Sequence, residues 1–145
     1  MSELVLRMAR DEDDPALRAL LAEAGLPSDD VRSSRQSVVV AVEGDALQGS
    51  VGLEVFGPAA LLRSLAVRTE RRRAGLGGRL FERALDLAKE KRIEKLFLLT
   101  TSAEAFFARR GFETIDRDVA PEGIRQSRQF SDLCPSSAVC MVRRV

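Results

Sequence analysis

Three glycines and two arginines fall within the seven residues Arg72-Arg73-Ala74-Gly75-Leu76-Gly77-Gly78. An apolar run precedes this segment, and the longest helical pattern of the chain follows it. A helix start presents backbone N–H groups that lack intrahelical partners, together with a partial positive charge, and both suit an anion. Glycine at 75, 77 and 78 lets the backbone approach a phosphate with no side chain in the way, while Arg72 and Arg73 add charge beside it. Two common phosphate loops do not fit. A Walker A loop requires Gly-Lys-Ser/Thr where this chain runs Gly78-Arg79-Leu80, and a dinucleotide fingerprint requires glycine at position 80. What is present is Arg-x-x-Gly-x-Gly, at Arg72, Gly75 and Gly77. Taken alone, that pattern is equally compatible with an ordinary glycine-rich turn bearing a solvated arginine face.

The whole chain narrows the choice. Its 145 residues match one domain and are too few for two good cores. With 45% apolar and 31% charged residues, it has the composition of a soluble globular protein. No apolar run approaches the ~20 residues of a membrane span. Residues 1–14 carry acids and lack the apolar centre of a signal peptide, so a cytoplasmic protein without membrane contact is expected. The net charge of +1 conceals an asymmetry: residues 1–60 hold 5 basic and 11 acidic side chains, residues 61–145 hold 18 and 11. A basic second half favours an anionic ligand, but the signs are too mixed and the aromatics too few for nucleic acid. Cys134 and Cys140 form no CxxC pair, and with no histidine in the chain no metal site is expected. They read as reduced, buried thiols.

The elements that must position the glycine loop are legible from periodicity. Leu4 to Leu6 is a short strand. Asp11 to Asp14, Pro15 and the stripe Leu17, Leu20, Leu21, Ala24 make a helix that Gly25 ends. A short second helix is expected over 29–34. Ser37 to Val42 and the run up to Val55 form a hairpin about Gly44-Asp45. Gly57-Pro58 breaks that strand, and Leu61 to Val67 is the next. Leu76, Leu80, Ala84 and Leu87, widened by Phe81, Leu85 and Ala88, give a helix from Gly75 to Arg92. Ile93 to Thr100 reads as a buried strand and Ala103 to Arg110 as a short helix. Glu113 to Arg117 follows as a strand, Glu122 to Gln129 as a helical turn and Ala138 to Val142 as the last strand. Hairpins in the first half and strand–helix alternation in the second predict an α/β fold. Its mixed, mostly antiparallel sheet has six to seven strands and helices on both faces.

With its flanks, Leu61-Leu-Arg-Ser-Leu-Ala-Val-Arg-Thr-Glu-Arg-Arg-Arg-Ala-Gly-Leu-Gly-Gly78 resembles the coenzyme-binding motif of the GNAT superfamily of N-acetyltransferases. A second landmark, Ala105-Phe106-Phe107-Ala-Arg-Arg-Gly111-Phe112, resembles that family's Phe-Tyr-x-x-x-Gly-Phe signature. Leu61 to Val67, Leu98-Leu-Thr-Thr101 and the tail from Pro121 through Gln129-Phe130 to Leu133-Cys-Pro-Ser-Ser137 are further similar to the arsenic-resistance N-acetyltransferase group. Leu-Thr-Thr and the late serine are also similar to the acetyltransferase domain of acetylglutamate synthase. The resemblance implies a GNAT-type fold, acetyl-CoA as cosubstrate, and a small, amino-acid-like acceptor with a primary amine. It also implies that Arg72, Arg73, Ala74, Gly75, Leu76, Gly77 and Gly78 hold the pyrophosphate. Leu65, Ala66 and Val67 would pair with the pantetheine arm like an added strand, and an amide there would polarise the thioester carbonyl.

The chain departs from the family where acid–base chemistry is concerned. Many members place a tyrosine, the acid for the leaving thiolate, four residues before the glycine of Gly-Phe. Here that position is Phe107, and the chain contains no tyrosine. Water, Ser137 or Cys134 could serve instead, or the thiolate could leave unprotonated. Phe106 and Phe107 otherwise read as core. Glu54 is the candidate base, although an exposed strand glutamate is the plainer alternative; Glu104 reads as a helix N-terminal acid. Arg63 interrupts an apolar strand and must be paired. It either clamps an acceptor carboxylate or phosphonate or pairs with an acid such as Glu54. Thr100 and Thr101 lie at a strand end where an acceptor can bind, with helix capping as the plainer role. A coenzyme-binding sensor with little catalysis is the competing reading, and an acceptor on a protein N-terminus or lysine is a third. A homodimer formed through the C-terminal strand is possible.

Overall fold

The computed structural model describes residues 3–26, 36–71, 75–127 and 138–145. Four strands run in sequence across the first half: β1 (Leu4–Met8), β2 (Gln36–Glu43), β3 (Ala46–Phe56) and β4 (Ala59–Val67). Each is antiparallel to the one before it. α2 (Leu76–Glu90) carries the chain back so that β5 (Lys95–Thr100) lies parallel to β4. β7 (Val139–Arg144) inserts between β5 and β6 (Glu113–Ile115), antiparallel to both. The result is one seven-stranded, mostly antiparallel sheet, as the hairpin and crossover patterns predict, and its order β1-β2-β3-β4-β5-β7-β6 adds a feature they do not, the last strand lying inside the sheet.

The two-residue period of the strands sorts their side chains onto two faces. On one face, Val39, Ala41, Val51, Leu53, Ala60 and Leu62 meet the buried stripe of α2. All seven stripe residues expected from the sequence, Leu76, Leu80, Phe81, Ala84, Leu85, Leu87 and Ala88, are buried. On the other face, Val38, Val40 and Leu47 meet Leu17, Leu20 and Leu21 of α1 (Asp14–Glu23). Phe107 of α3 (Glu104–Ala108) belongs to the α2 side of the sheet. Farther along the α1 side, Leu61, Phe97 and Cys140 pack on Ile124 of α4 (Glu122–Arg125). α1 begins after a 3-10 turn, Asp11–Asp13, in which Asp13 accepts from the Arg10 N–H at 2.7 Å and from Arg7 at 2.8 Å. Gly25, at φ 72°, closes it.

Several boundaries shift. β5 starts at Lys95, leaving Ile93 as a buried residue ahead of it. β6 stops at Ile115, and Arg117 instead opens a 3-10 turn. The helix expected over 29–34 lies outside the described residues. β7 continues through Arg143 and Arg144, longer than the apolar run alone indicates. Because β7 is flanked by β5 and β6, it is not a free edge. Pairing between chains would have to use β1 or β6 instead, which corrects the expectation of dimerisation through the C-terminal strand.

Candidate active site

β4 is interrupted where the site begins. Gly52 pairs with Arg63, but Ser50 pairs with Ala66, so β4 carries one extra residue. Ser64 adopts φ 59°, a left-handed conformation uncommon for a residue with a side chain. The extra residue resets the alternation. Ala60 and Leu62 face α2, as Leu65 and Val67 do beyond the bulge, while Leu61 and Ala66 face the α1 and α4 side. Pairing between β4 and β5 extends only over Ala59–Leu61 and Lys95–Phe97. Past that point the two strands part, and a cleft of about 910 Å³ opens between them, reaching the start of α2.

Leu65, Ala66 and Val67 form one wall of this cleft, and Gly75, Gly77 and Gly78 close its end. Gly75 caps α2 at φ 82°, with no side-chain cap and no acid in the first turn. The first-turn N–H groups therefore meet no competing carboxylate from their own helix. A Cβ on Gly77 would stand 3.6 Å from the Phe106 ring, and one on Gly78 would stand 3.1 Å from the Arg110 guanidinium. Leu76 turns its side chain into the core, so only its backbone serves this end. Arg72, Arg73 and Ala74 lie outside the described residues. Arg71 lines the cleft and pairs with Glu43.

Two residues reach this end that sequence reasoning did not assign to it. Phe106, read as core, lines the cleft beside Gly77. Arg110 stacks on Phe106 at 3.6 Å and donates to its carbonyl at 3.0 Å, which brings a further cation to the helix start. Their i, i+4 spacing in Phe106-Phe-Ala-Arg-Arg110 was the available signal. Phe107, at the position for which the family resemblance implies a tyrosine, packs edge-on against Phe81 and Phe112 and also borders the cleft. It holds no ionisable group there.

At the other end, Arg63 lines the cleft, and its Nη1 donates to Glu54 Oε1 at 2.9 Å. Their side chains are 1% and 8% exposed. Thus the pairing alternative for Arg63 is present, and Glu54 is a buried partner rather than an exposed strand residue. Glu54 is also absent from the cleft lining, so its carboxylate reaches the site only through Arg63. Thr100 and Thr101 border the cleft; Thr100 Oγ1 accepts from the Ala103 N–H at 2.9 Å, the capping role. Ser137 and Cys134 lie outside the described residues. Cys140 is buried in the α4 core, where desolvation pushes its thiol up to about 11 against a smaller opposing pull from Arg117. No cluster of metal-ligating side chains occurs among the described residues.

A bulged strand diverging from its parallel neighbour, with a glycine-capped helix at the end of the gap, can hold an extended anionic ligand by its backbone. The sequence profile of the acetyltransferase (GNAT) domain matches residues 34–114. An amino-acid acetyltransferase of Neisseria meningitidis is 32% identical over 130 residues, covering 83% of this chain and 30% of the relative. The chain therefore spans about a third of the length of that curated relative. Among solved structures, N-acetylglutamate synthase from Neisseria gonorrhoeae, complexed with coenzyme A and N-acetyl-glutamate, superposes with a TM-score of 0.82 at 27% identity. That match covers 99% of this chain and 35% of that one. A GNAT acetyltransferase from Staphylococcus aureus has the same fold over 98% of this chain and 99% of its own, with a TM-score of 0.80 at 17% identity.

Proposed function

The chain belongs to the GNAT acetyltransferase domain family, and on that premise we propose that it moves an acetyl group from acetyl-CoA directly to the primary amine of a small, amino-acid-like anionic acceptor in a ternary complex. The observation that carries this reading is the cleft between β4 and β5 ending at the glycine-capped start of α2. The pyrophosphate would sit on the N–H groups of residues 73 to 78, with Arg72 and Arg110 nearby. Leu65, Ala66 and Val67 would hold the pantetheine arm as an added strand on the side of β4 where the pairing with β5 has ended at Leu61.

The amine nitrogen then attacks the thioester carbon while the carbonyl oxygen takes up charge at a β4 amide. Such a preorganised donor is worth roughly 2.7–4 kcal/mol in other enzymes. The tetrahedral intermediate collapses, the C–S bond breaks, and the electron pair leaves on sulfur. One proton departs from the amine and one returns to the CoA thiolate. Phe107 donates none, and a thiolate with a pKa near ~8.5 can leave without one. Ser137 is proposed as the group that assists there. Glu54 is proposed as the base, acting through water while it stays paired with Arg63, because its carboxylate does not line the cleft. A guanidinium has five N–H donors, so an acceptor carboxylate can also share Arg63 with it. Placing amine and thioester together supplies much of the remaining rate.

The amino-acid acceptor is supported by the relatives' names and by the basic second half of the chain. The likeness to the arsenic-resistance group is part of the same proposal, because it too implies a small amine-bearing anion. CoA release from acetyl-CoA, followed with a thiol reagent across amino acids, their phosphonate and arsenic analogues and polyamines, tests it. Release with one anionic amine supports the proposal. Acetyl-CoA binding without release for any amine would favour the sensor reading or a macromolecular acceptor.

A further inference from the structure

We infer that Ser50, a fully buried residue of β3 that does not line the cleft, is a positioning residue that aims the Leu65 N–H at the thioester carbonyl. This rests on the acetyl transfer proposed above. Ser50 is 0% exposed. Its pairing partners are Val40 on β2 and Ala66 on β4, and both belong to the apolar core against α1. A hydroxyl in such a place is costly unless bonded, and alanine would pack there without that cost. The Ser50 hydroxyl donates to the carbonyl of Ser64 at 2.7 Å.

Ser64 is the extra residue of the β4 bulge. Its left-handed φ of 59° is disfavoured for a side-chain-bearing residue and persists only where neighbours over-determine it. The peptide between Ser64 and Leu65 is trans, so its C=O and N–H point in opposite directions. With the carbonyl drawn toward Ser50 on β3, the Leu65 N–H points away from β3. That is the side on which β5 has parted from β4 and the cleft lies. A single hydroxyl behind the strand therefore fixes the direction of a donor in front of it.

The test compares wild type, Ser50→Ala and Ser50→Thr, the last retaining the donor. Formation of the acetylated amine gives kcat and both KM values, and calorimetry gives Kd for acetyl-CoA and for CoA, which lacks the carbonyl. The expected result for Ser50→Ala is a loss of kcat of roughly 10- to 100-fold, less than outright removal of an oxyanion donor causes. Acceptor KM and CoA affinity should stay near wild type, while the preference for acetyl-CoA over CoA shrinks; Ser50→Thr should recover most of kcat. Should Ser50→Ala fail to fold, Ser50→Cys keeps a side chain there with a much weaker donor and carries the same expectation. An unchanged kcat, or parallel losses of CoA and acetyl-CoA affinity, would overturn the inference. If wild type acetylates no amine, the transfer reading fails separately, and the acetyl-CoA/CoA preference still decides the role of Ser50.

Discussion

Replacing Arg63 with methionine isolates the charge pair at the acceptor end of the cleft. Arg63 and Glu54 have side chains 1% and 8% exposed and are joined at 2.9 Å. Methionine keeps the stem's bulk but leaves the Glu54 carboxylate buried without its guanidinium. Breaking a buried pair from one side costs about 3–5 kcal/mol, whereas exchanging both members for apolar residues is often close to neutral. For a chain of 145 residues that loss corresponds to a fall in Tm of roughly 10–15 °C. Urea unfolding followed by circular dichroism should show the loss in Arg63→Met, with most of it recovered in Arg63→Met/Glu54→Leu. The two variants should also differ from wild type in acceptor KM far more than in acetyl-CoA KM if Arg63 meets the acceptor's acid group. A single-variant loss below about 1 kcal/mol, the value of an exposed pair, would refute the reasoning about burial. Unchanged acceptor kinetics would count against the clamp.

Three further outcomes follow from the packing. Gly49→Ala would place a Cβ 2.8 Å from Leu80 Cδ1 and 3.0 Å from the Ala66 carbonyl, so it should destabilise by about 1–3 kcal/mol of overpacking in a denaturant melt. The guanidinium of Arg7 holds the Asp13 carboxyl below its ordinary 3.8; a depressed folded pKa gives stability that is present above 3.8 and lost as pH falls below it. Asp13→Asn should therefore lower stability at pH 7 and flatten the acid side of the pH–stability curve, measured by urea unfolding between pH 3 and 7. With its thiol near 11, Cys140 should resist a thiol reagent at pH 8 in the native protein and react once the protein is unfolded.

What the sequence disclosed follows the range of the interactions involved. The α2 stripe was legible residue by residue because helical period is local, and the β2–β3 hairpin because Gly44-Asp45 permits little else. The crossover to a parallel β5 followed from element order. The β4 bulge inside the cleft was not legible, because a serine at positive φ announces no bulge the way glycine or asparagine would. The insertion of β7 between β5 and β6 depends on pairing across the chain, and Arg143 and Arg144 masked its length. Arg63 was recognisable as a charge needing a partner. Glu54 is already a candidate for that partner in the sequence, and the register, which sets Gly52 opposite Arg63 and Glu54 opposite Leu61, brings the two together. Phe106 looked like core because its apolar ring says nothing of the guanidinium of Arg110 stacked upon it.

The claim that the coenzyme lies between β4 and β5 is tested most directly at Gly77. A Cβ there would be only in ordinary contact, 3.6 Å from Phe106 and 4.0 Å from Val67, so a folded variant is expected. A ring beyond that Cβ would fill the cleft where the phosphates approach. Calorimetric titration of acetyl-CoA into wild type and Gly77→Phe is the measurement. Binding by wild type and none by the variant, with its circular dichroism spectrum intact, is the predicted result. Micromolar binding retained by Gly77→Phe would contradict the assignment of the coenzyme to this cleft.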